Sequence, residues 1–166
     1  MKRSDRITIR NDLRPGDIGY LIDLHDRLYR EEYGFDDRFK EYVAETFHDY
    51  LENRVEGSDR DRFWIVERDG EIVGSVAVVE RSEDLAQLRW LLLHPDVRRK
   101  GIARKITAEA LDFARERGYR SIYLTTQDIL EDAARLYDHF GFRITEEEIN
   151  EIWGLRMNYQ RYDLEL

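Results

Sequence analysis

Residues 91–105 read LLLHPDVRRKGIARK. The three leucines predict the end of a buried strand, and the apolar period from Ile102 to Ala114 predicts a helix that Gly118 ends. The first turn of a helix presents N–H groups without intrahelical acceptors, together with the positive end of the helix dipole. A strand, a short loop and a helix in this order therefore form a ready anion-binding site.

Five basic side chains surround this helix start in a chain that is otherwise acidic: Arg98, Arg99, Lys100, Arg104 and Lys105. Basic residues at a helix N-terminus oppose the dipole, so a purely structural role for them is disfavoured. Gly101 lets a ligand approach the backbone, and Ala103 is the next smallest residue in the first turn. The pattern indicates a di- or triphosphate ligand, although neither G-x-x-x-x-G-K-[ST] nor G-x-G-x-x-G occurs.

The length and composition limit the classes of protein to which this chain can belong. The chain has 166 residues, a length typical of one domain, which we assign to 1–166. Its 27 basic and 36 acidic side chains give a net charge of −9, which disfavours a nucleic-acid partner. The absence of cysteine excludes disulfides and a cysteine nucleophile. No apolar run is long enough to span a membrane and no signal-peptide segment opens the sequence, so we expect a soluble, cytoplasmic protein without a membrane partner.

The hydrophobic pattern around residues 91–105 predicts the element order β α α β β β α β α β β. This order favours an α/β (α+β) fold, with a mixed, mostly antiparallel twisted sheet and about four flanking helices. Asp69-Gly70 predicts a hairpin turn, and Asp36 or Asp37 can cap the second helix. The other predicted strands lie at 6–10, 85–93, 122–126, 142–145 and 155–164. The other predicted helices are one that begins at 15–17, one at 101–117 and one at 129–140.

The segment Arg98–Ala103 resembles the Q/R-x-x-G-x-G/A signature of the GNAT superfamily of acyl-CoA-dependent N-acetyltransferases, and His94-Pro95 resembles its usual lead-in. The predicted element order matches that superfamily across essentially the whole chain. The resemblance implies acetyl-CoA as co-substrate and no metal. It also implies that backbone N–H groups cradle the pyrophosphate and that the preceding strand pairs with pantetheine. The residues so implicated are Leu91, Leu93, Arg98, Arg99, Lys100, Gly101, Ile102, Ala103 and Arg104.

A second segment, Ala133–Phe142, is similar to the family's A-x-x-L-Y-x-x-x-G-F block. This similarity implies that Tyr137 is catalytic and acts as the general acid that protonates the departing coenzyme A thiolate. The alternative is a packed aromatic side chain without a catalytic role. Leu130 departs from the pattern, because many relatives carry asparagine there. The C-terminal segment 152–164 also resembles, more loosely, the acetyltransferase half of bacterial MarR-type regulator–acetyltransferase fusions.

The resemblance to the GNAT superfamily also suggests where the acceptor binds. Five residues between the first two predicted helices occupy the place of the acceptor pocket, namely Tyr29, Glu32, Tyr33, Phe35 and Asp36. Their aromatic and acidic side chains would suit a cationic amine. On the strand that precedes the pyrophosphate loop, many relatives carry an acidic residue that serves as general base. The corresponding strand here carries Gln87 and Arg89 instead. Glu80 is a candidate base, with a surface role as the alternative, and Glu146–Glu148 is expected to be a solvated run near a strand end.

We therefore expect an N-acetyltransferase that moves acetyl from acetyl-CoA to a primary amine of a small molecule or peptide, by direct attack on the thioester. The alternative is a catalytically silent acyl-CoA-binding sensor or interaction module on the same fold. The four histidines show no ligand spacing that would indicate a metal site. For the oligomeric state, the sequence is compatible with a monomer and with a homodimer.

Overall fold

The fold consists of one seven-stranded sheet with α-helices on both faces, as seen in a computed structural model that describes residues 6–166. The element order is the predicted one. In chain order the elements are β1 (Ile7–Arg10), α1 (Asp17–Tyr33), α2 (Asp37–Asn53), β2 (Arg62–Arg68), β3 (Glu71–Glu80), β4 (Leu85–Leu93), a 3-10 turn (Pro95–Val97), α3 (Ile102–Glu116), β5 (Ser121–Gln127), α4 (Glu131–His139), β6 (Arg143–Ile152) and β7 (Leu155–Glu165).

The strands lie in the order β1-β2-β3-β4-β5-β7-β6, and every neighbouring pair is antiparallel except β4 and β5. The predicted hairpin is confirmed, since Asp69 and Gly70 both adopt positive φ between β2 and β3. The mixed, mostly antiparallel α/β class predicted from the sequence is therefore confirmed. None of the α-helices within residues 6–166 combines the length and apolar character that a membrane crossing requires.

Strand β3 lies at the centre of the core. Its residues Ile72–Val79 are all buried, because helices cover both faces of the sheet. Val76 and Val78 belong to the cluster under α3, whereas Ala77 and Val79 belong to the cluster under α1 and α2. This alternation gives the sheet two separate apolar layers, and the side chains of β4 divide between them in the same way.

The sheet opens between β4 and β5. These two strands pair only over Leu85–Gln87 and Ser121–Tyr123, and then diverge. A bulge at Trp90, whose φ is 51°, bends the second half of β4. The bulge is fixed on two sides, because the Ser75 hydroxyl donates to the Trp90 carbonyl (2.6 Å) and the Trp90 indole donates to the Thr46 hydroxyl (3.0 Å). Past Gln87, one edge of β4 has no partner strand among residues 6–166.

Strand β6 is longer than predicted. We expected a strand at 142–145 with Glu146–Glu148 near its end, but β6 runs from Arg143 to Ile152 and carries the three glutamates in its middle. Strand β6 is an edge strand that pairs only with β7, and most of its residues are exposed on both faces. Its sequence therefore lacks the apolar alternation by which a half-buried strand is recognised.

Candidate active site

Two cavities adjoin β4. One, of about 750 Å³, follows the β4–α3 loop, and we name it the loop cavity. The other, of about 520 Å³, lies between α1, α2 and the opened sheet, and we name it the sheet cavity. Four residues line both cavities, namely Tyr29, Leu91, Leu130 and Ala133. The cavities therefore meet where β4, α1 and α4 come together.

The loop cavity is edged by a row of unpaired backbone donors. The six consecutive N–H groups of residues 99–104 donate to no acceptor within residues 6–166, and the first amide of α3 that does so is Lys105, to the Gly101 carbonyl (3.0 Å). Arg99 and Gly101 both adopt positive φ (63° and 79°), which turns the chain into the helix. Successive free N–H groups at a helix start are a strong anion site.

Most residues predicted to bind the coenzyme line the loop cavity: Leu91, Leu93, Arg98, Arg99, Gly101, Ile102, Ala103 and Arg104. Lys100 is exposed and lies outside its wall. Arg99 and Arg104 are exposed and make no ion pair within the described chain, so both charges stay available to a ligand. The fold thus brings most of the residues predicted to bind the coenzyme to the wall of one cavity.

Arg98 differs from this expectation. Its guanidinium donates to both oxygens of Glu32 (2.7 and 2.5 Å) and to the Leu93 carbonyl (2.8 Å). The hydrogen bonds that Arg98 donates to Glu32 raise the pKa of Arg98, although burial opposes this shift. The Arg98 charge is therefore already paired, and the side chain ties α1 to the end of β4.

The five residues predicted for the acceptor site divide among three places. Tyr29 and Phe35 line the sheet cavity, whereas Glu32 and Tyr33 line the loop cavity. Asp36 lies outside both walls, because its side chain caps α2 by accepting from the Arg38 amide (3.0 Å). Only Tyr29 and Phe35 thus lie in the wall of the sheet cavity, whereas Tyr33 and the two acidic residues do not.

Tyr137 lies in the wall of the sheet cavity, one helical turn after Ala133 at the junction. Its side chain is 6% exposed, and its ring packs against Phe142 and Tyr162 with centroids 5.9 and 5.4 Å away. Burial raises the pKa of Tyr137, so the phenol stays protonated at neutral pH. Its hydroxyl makes no hydrogen bond within residues 6–166, which leaves it available to a ligand.

His25 belongs to the same wall and was missed by sequence reasoning. Its Nδ1 lies 2.7 Å from the Leu21 carbonyl, which only accepts, so Nδ1 carries the proton and Nε2 is an acceptor. Burial lowers the pKa of His25 to about 4, and the ring stacks on Tyr29. The sequence contained one signal for this location: His25 precedes Tyr29 by four residues, a spacing that places both side chains on one face of a helix.

Glu80 accepts from Arg60 (2.7 Å) and lies outside the walls of both cavities, as its alternative surface role predicted. No group of three or more His, Cys, Asp or Glu side chains within residues 6–166 is arranged to hold a metal ion.

A bulged β4 that diverges from a parallel β5 and leads into an N–H-lined loop defines the class of fold predicted from residues 91–105, that of the GNAT acetyltransferases. The chain belongs to the acetyltransferase (GNAT) family, whose profile matches residues 21–142.

Curated relatives share part of this sequence. The uncharacterized N-acetyltransferase YjgM of Escherichia coli (strain K12) is 40% identical over 83 residues, which cover 48% of this chain and 50% of that protein. The probable N-acetyltransferase camello of Xenopus laevis is 31% identical over 144 residues, covering 82% of this chain and 64% of that one. The chain thus matches half to just under two thirds of their length.

A solved structure shares the whole fold. A GNAT family acetyltransferase from Elizabethkingia anophelis, crystallised with acetyl-CoA bound, superposes with a TM-score of 0.69 over 98% of this chain and 99% of that one. Its sequence is 19% identical, so the likeness concerns the fold.

Proposed function

We propose that this protein is an N-acetyltransferase that transfers acetyl from acetyl-CoA to a primary amine of a small molecule or peptide. One observation carries the proposal: the cavity beside the 99–104 loop, whose six N–H groups are free, meets a second, aromatic-walled cavity beside a buried tyrosine. Such a pair of joined cavities suits a reaction in which a nucleotide-bearing donor and an acceptor meet at one point. The cytoplasmic location and the likeness to MarR-type fusions stay predictions from sequence.

The donor fits the loop cavity. The N–H groups of residues 99–104 would donate to the pyrophosphate, and the charges of Arg99 and Arg104 would add long-range attraction. The unpaired edge of β4 at Leu91 and Leu93 would bind pantetheine as a further strand. In support, the Elizabethkingia anophelis acetyltransferase of the same fold holds acetyl-CoA.

Transfer would take place at the junction. The acceptor nitrogen attacks the thioester carbonyl, the carbon–nitrogen bond forms, and the carbon–sulfur bond breaks. Tyr137 would give its proton to the leaving sulfur and take the surplus proton from the acylated nitrogen, so that proton count is preserved. His25, with a pKa of about 4, is too weak a base to hold that proton but can accept a hydrogen bond from the amine at Nε2.

A thiol-release assay tests the proposal. The purified protein is given acetyl-CoA and a panel of polyamines, amino acids, aminoglycosides and peptides, with a reaction lacking acceptor to subtract hydrolysis. We expect acceptor-dependent release of free thiol together with an acetylated product seen by mass spectrometry. Binding of acetyl-CoA without turnover of any amine would contradict the transferase and favour the silent acyl-CoA sensor.

The pair between Arg98 and Glu32 gives a prediction on donor affinity. Glu32→Gln removes the charge that holds Arg98, so we expect the loop to lose its anchor on α1 and the Kd for acetyl-CoA to rise by roughly three- to tenfold. The effect is modest because both side chains stay partly exposed, at 31% and 25%. The acceptor KM should hardly change. Calorimetry and steady-state kinetics measure the two quantities.

The matched control is Glu31→Gln, which removes an equal charge from the adjacent exposed position on α1. It should leave both constants near wild type. A Glu32→Gln variant that binds acetyl-CoA more tightly than wild type would show instead that Arg98 is a phosphate ligand restrained by Glu32.

A further inference from the structure

Arg89 is a cation without a partner in the wall of the sheet cavity. Its guanidinium forms no ion pair and no hydrogen bond within residues 6–166, and it lies over the Trp90 ring at 5.0 Å. Burial lowers the pKa of Arg89, and the charge of Asp49 offsets this effect only in part. A half-buried guanidinium without a direct counter-ion is suited to a ligand that supplies one.

The charged groups around Arg89 do not neutralise it. Among the acidic residues of α2 and β6, Asp49 acts on Arg89 through its charge and Glu148 lines the same cavity, but neither comes within 4 Å of the Arg89 nitrogens. Arg81 donates to the Gln87 amide oxygen (2.7 Å), and Arg161 is paired with Asp163. Arg89 is thus the cation that this part of the cavity presents to a ligand.

Two amide side chains in the same wall are also unpaired. The carbonyl oxygens of Gln127 and Asn150 are buried without a donor, and their amide nitrogens donate to no acceptor within the described chain. Gln127 is only 5% exposed. Buried polar groups in proteins are nearly always hydrogen-bonded, so the unpaired amides of Gln127 and Asn150 are available to a polar ligand that enters this cavity.

The two acidic residues predicted for a cationic acceptor, Glu32 and Asp36, do not line this cavity, and Glu148 is the acidic residue in its wall. Glu32 is paired with Arg98, and Asp36 caps α2. The rest of the wall includes the packed rings of Phe39 and Trp153, whose centroids lie 4.8 Å apart. An acceptor with an apolar body and an anionic group therefore fits the rings and the unpaired Arg89.

We propose that the acceptor is a primary amine that also bears a carboxylate, such as an α-amino acid with a large apolar side chain. Arg89 binds the carboxylate, the amides of Gln127 and Asn150 hydrogen-bond its polar atoms, and the rings hold the apolar body. A guanidinium and a carboxylate match in charge and in planar two-point geometry. This inference rests on the proposed transferase function and names the substrate class of the same site.

The test compares three acceptors that differ at one group: phenylalanine, phenylalanine amide and phenylethylamine. We expect the wild-type kcat/KM to be roughly 10- to 100-fold higher for phenylalanine than for phenylethylamine, the range of a hydrogen-bonded charge pair. Arg89→Gln should abolish that preference, and Arg89→Lys should keep part of it. The effect of Arg89→Gln on the phenylalanine-to-phenylethylamine ratio is the deciding quantity, because differences in intrinsic amine reactivity cancel in it.

Arg62→Gln is the matched control, since Arg62 is a half-buried arginine that lies over Phe113 on the other face of the sheet. It should leave the preference intact. A wild-type enzyme that turns over phenylethylamine as well as phenylalanine, or an Arg89→Gln variant that keeps the wild-type preference, would overturn the carboxylate site while the transferase stands.

A binding measurement separates this inference from the catalytic proposal. With coenzyme A present, N-acetylphenylalanine should bind wild type at least about tenfold more tightly than N-acetylphenylethylamine, and Arg89→Gln should remove the difference. Carboxylate-dependent binding without turnover of any amine would support the site and overturn the transferase. Equal binding of both compounds would overturn the site.

Discussion

Replacing Tyr137 with phenylalanine should lower kcat by about 10²–10⁴-fold, the range that a general acid contributes, while acetyl-CoA binding stays nearly intact. The substitution keeps the ring that packs against Phe142 and Tyr162, so the fold should be preserved. The substitution removes only the buried hydroxyl. Burial keeps this hydroxyl protonated, and it forms no hydrogen bond within residues 6–166. Single-turnover kinetics would locate the loss in the chemical step.

Tyr162→Phe is the matched control for that experiment. Tyr162 is 3% exposed, touches the Tyr137 ring and lies outside the walls of both cavities. Removing its hydroxyl should leave kcat close to wild type. A folded Tyr137→Phe enzyme with kcat within a few-fold of wild type, and with chemistry rate-limiting, would assign Tyr137 to packing alone. A large loss in Tyr29→Phe instead would move the proton donor to the other tyrosine at the junction.

Gly101→Glu should weaken acetyl-CoA binding by more than about 100-fold, because it places a carboxylate where the pyrophosphate is expected to approach. A Cβ built on Gly101 meets no protein atom within 4 Å, so the added side chain enters open space at the edge of the loop cavity. The φ of 79° adds backbone strain for any residue with a side chain. Isothermal calorimetry measures the affinity, and thermal melting checks the fold.

Gly101→Gln separates charge from bulk and strain. It has nearly the size and the same backbone penalty as Gly101→Glu but carries no charge, so we expect a loss of roughly tenfold. The difference between the two variants reports the repulsion between the new carboxylate and the phosphates. If a folded Gly101→Glu protein bound acetyl-CoA as wild type does, the anion site would lie elsewhere than at residues 99–104.

Local patterns predicted the backbone geometry of residues 91–105 well. Residues 91–105 contain the strand end, the turn and the helix start in one continuous run, so the geometry that frees the N–H groups of residues 99–104 is built from neighbours in sequence. The hairpin at Asp69-Gly70 is equally local. For such features the backbone preferences of a few consecutive residues decide the outcome.

The partners of the acidic residues predicted for the acceptor site did not follow from local patterns, for a physical reason. Glu32 and Asp36 were assigned to the acceptor because they lie between the first two helices, where members of the family line the acceptor pocket. One pairs with an arginine 66 positions away, and the other caps the next helix. Partners of charged side chains are set by which elements pack together, and a one-dimensional pattern does not contain that information.

The sequence by itself determined the element order, the fold class and the loop whose free N–H groups face a cavity, because each follows from periodicity and turn chemistry over short spans. Only the tertiary structure decided that β4 parts from β5, that Arg98 is paired while Arg89 is not, and that two cavities meet beside Tyr137. These features depend on contacts between distant residues and on which charges burial leaves without a counter-ion, and both arise when the chain packs.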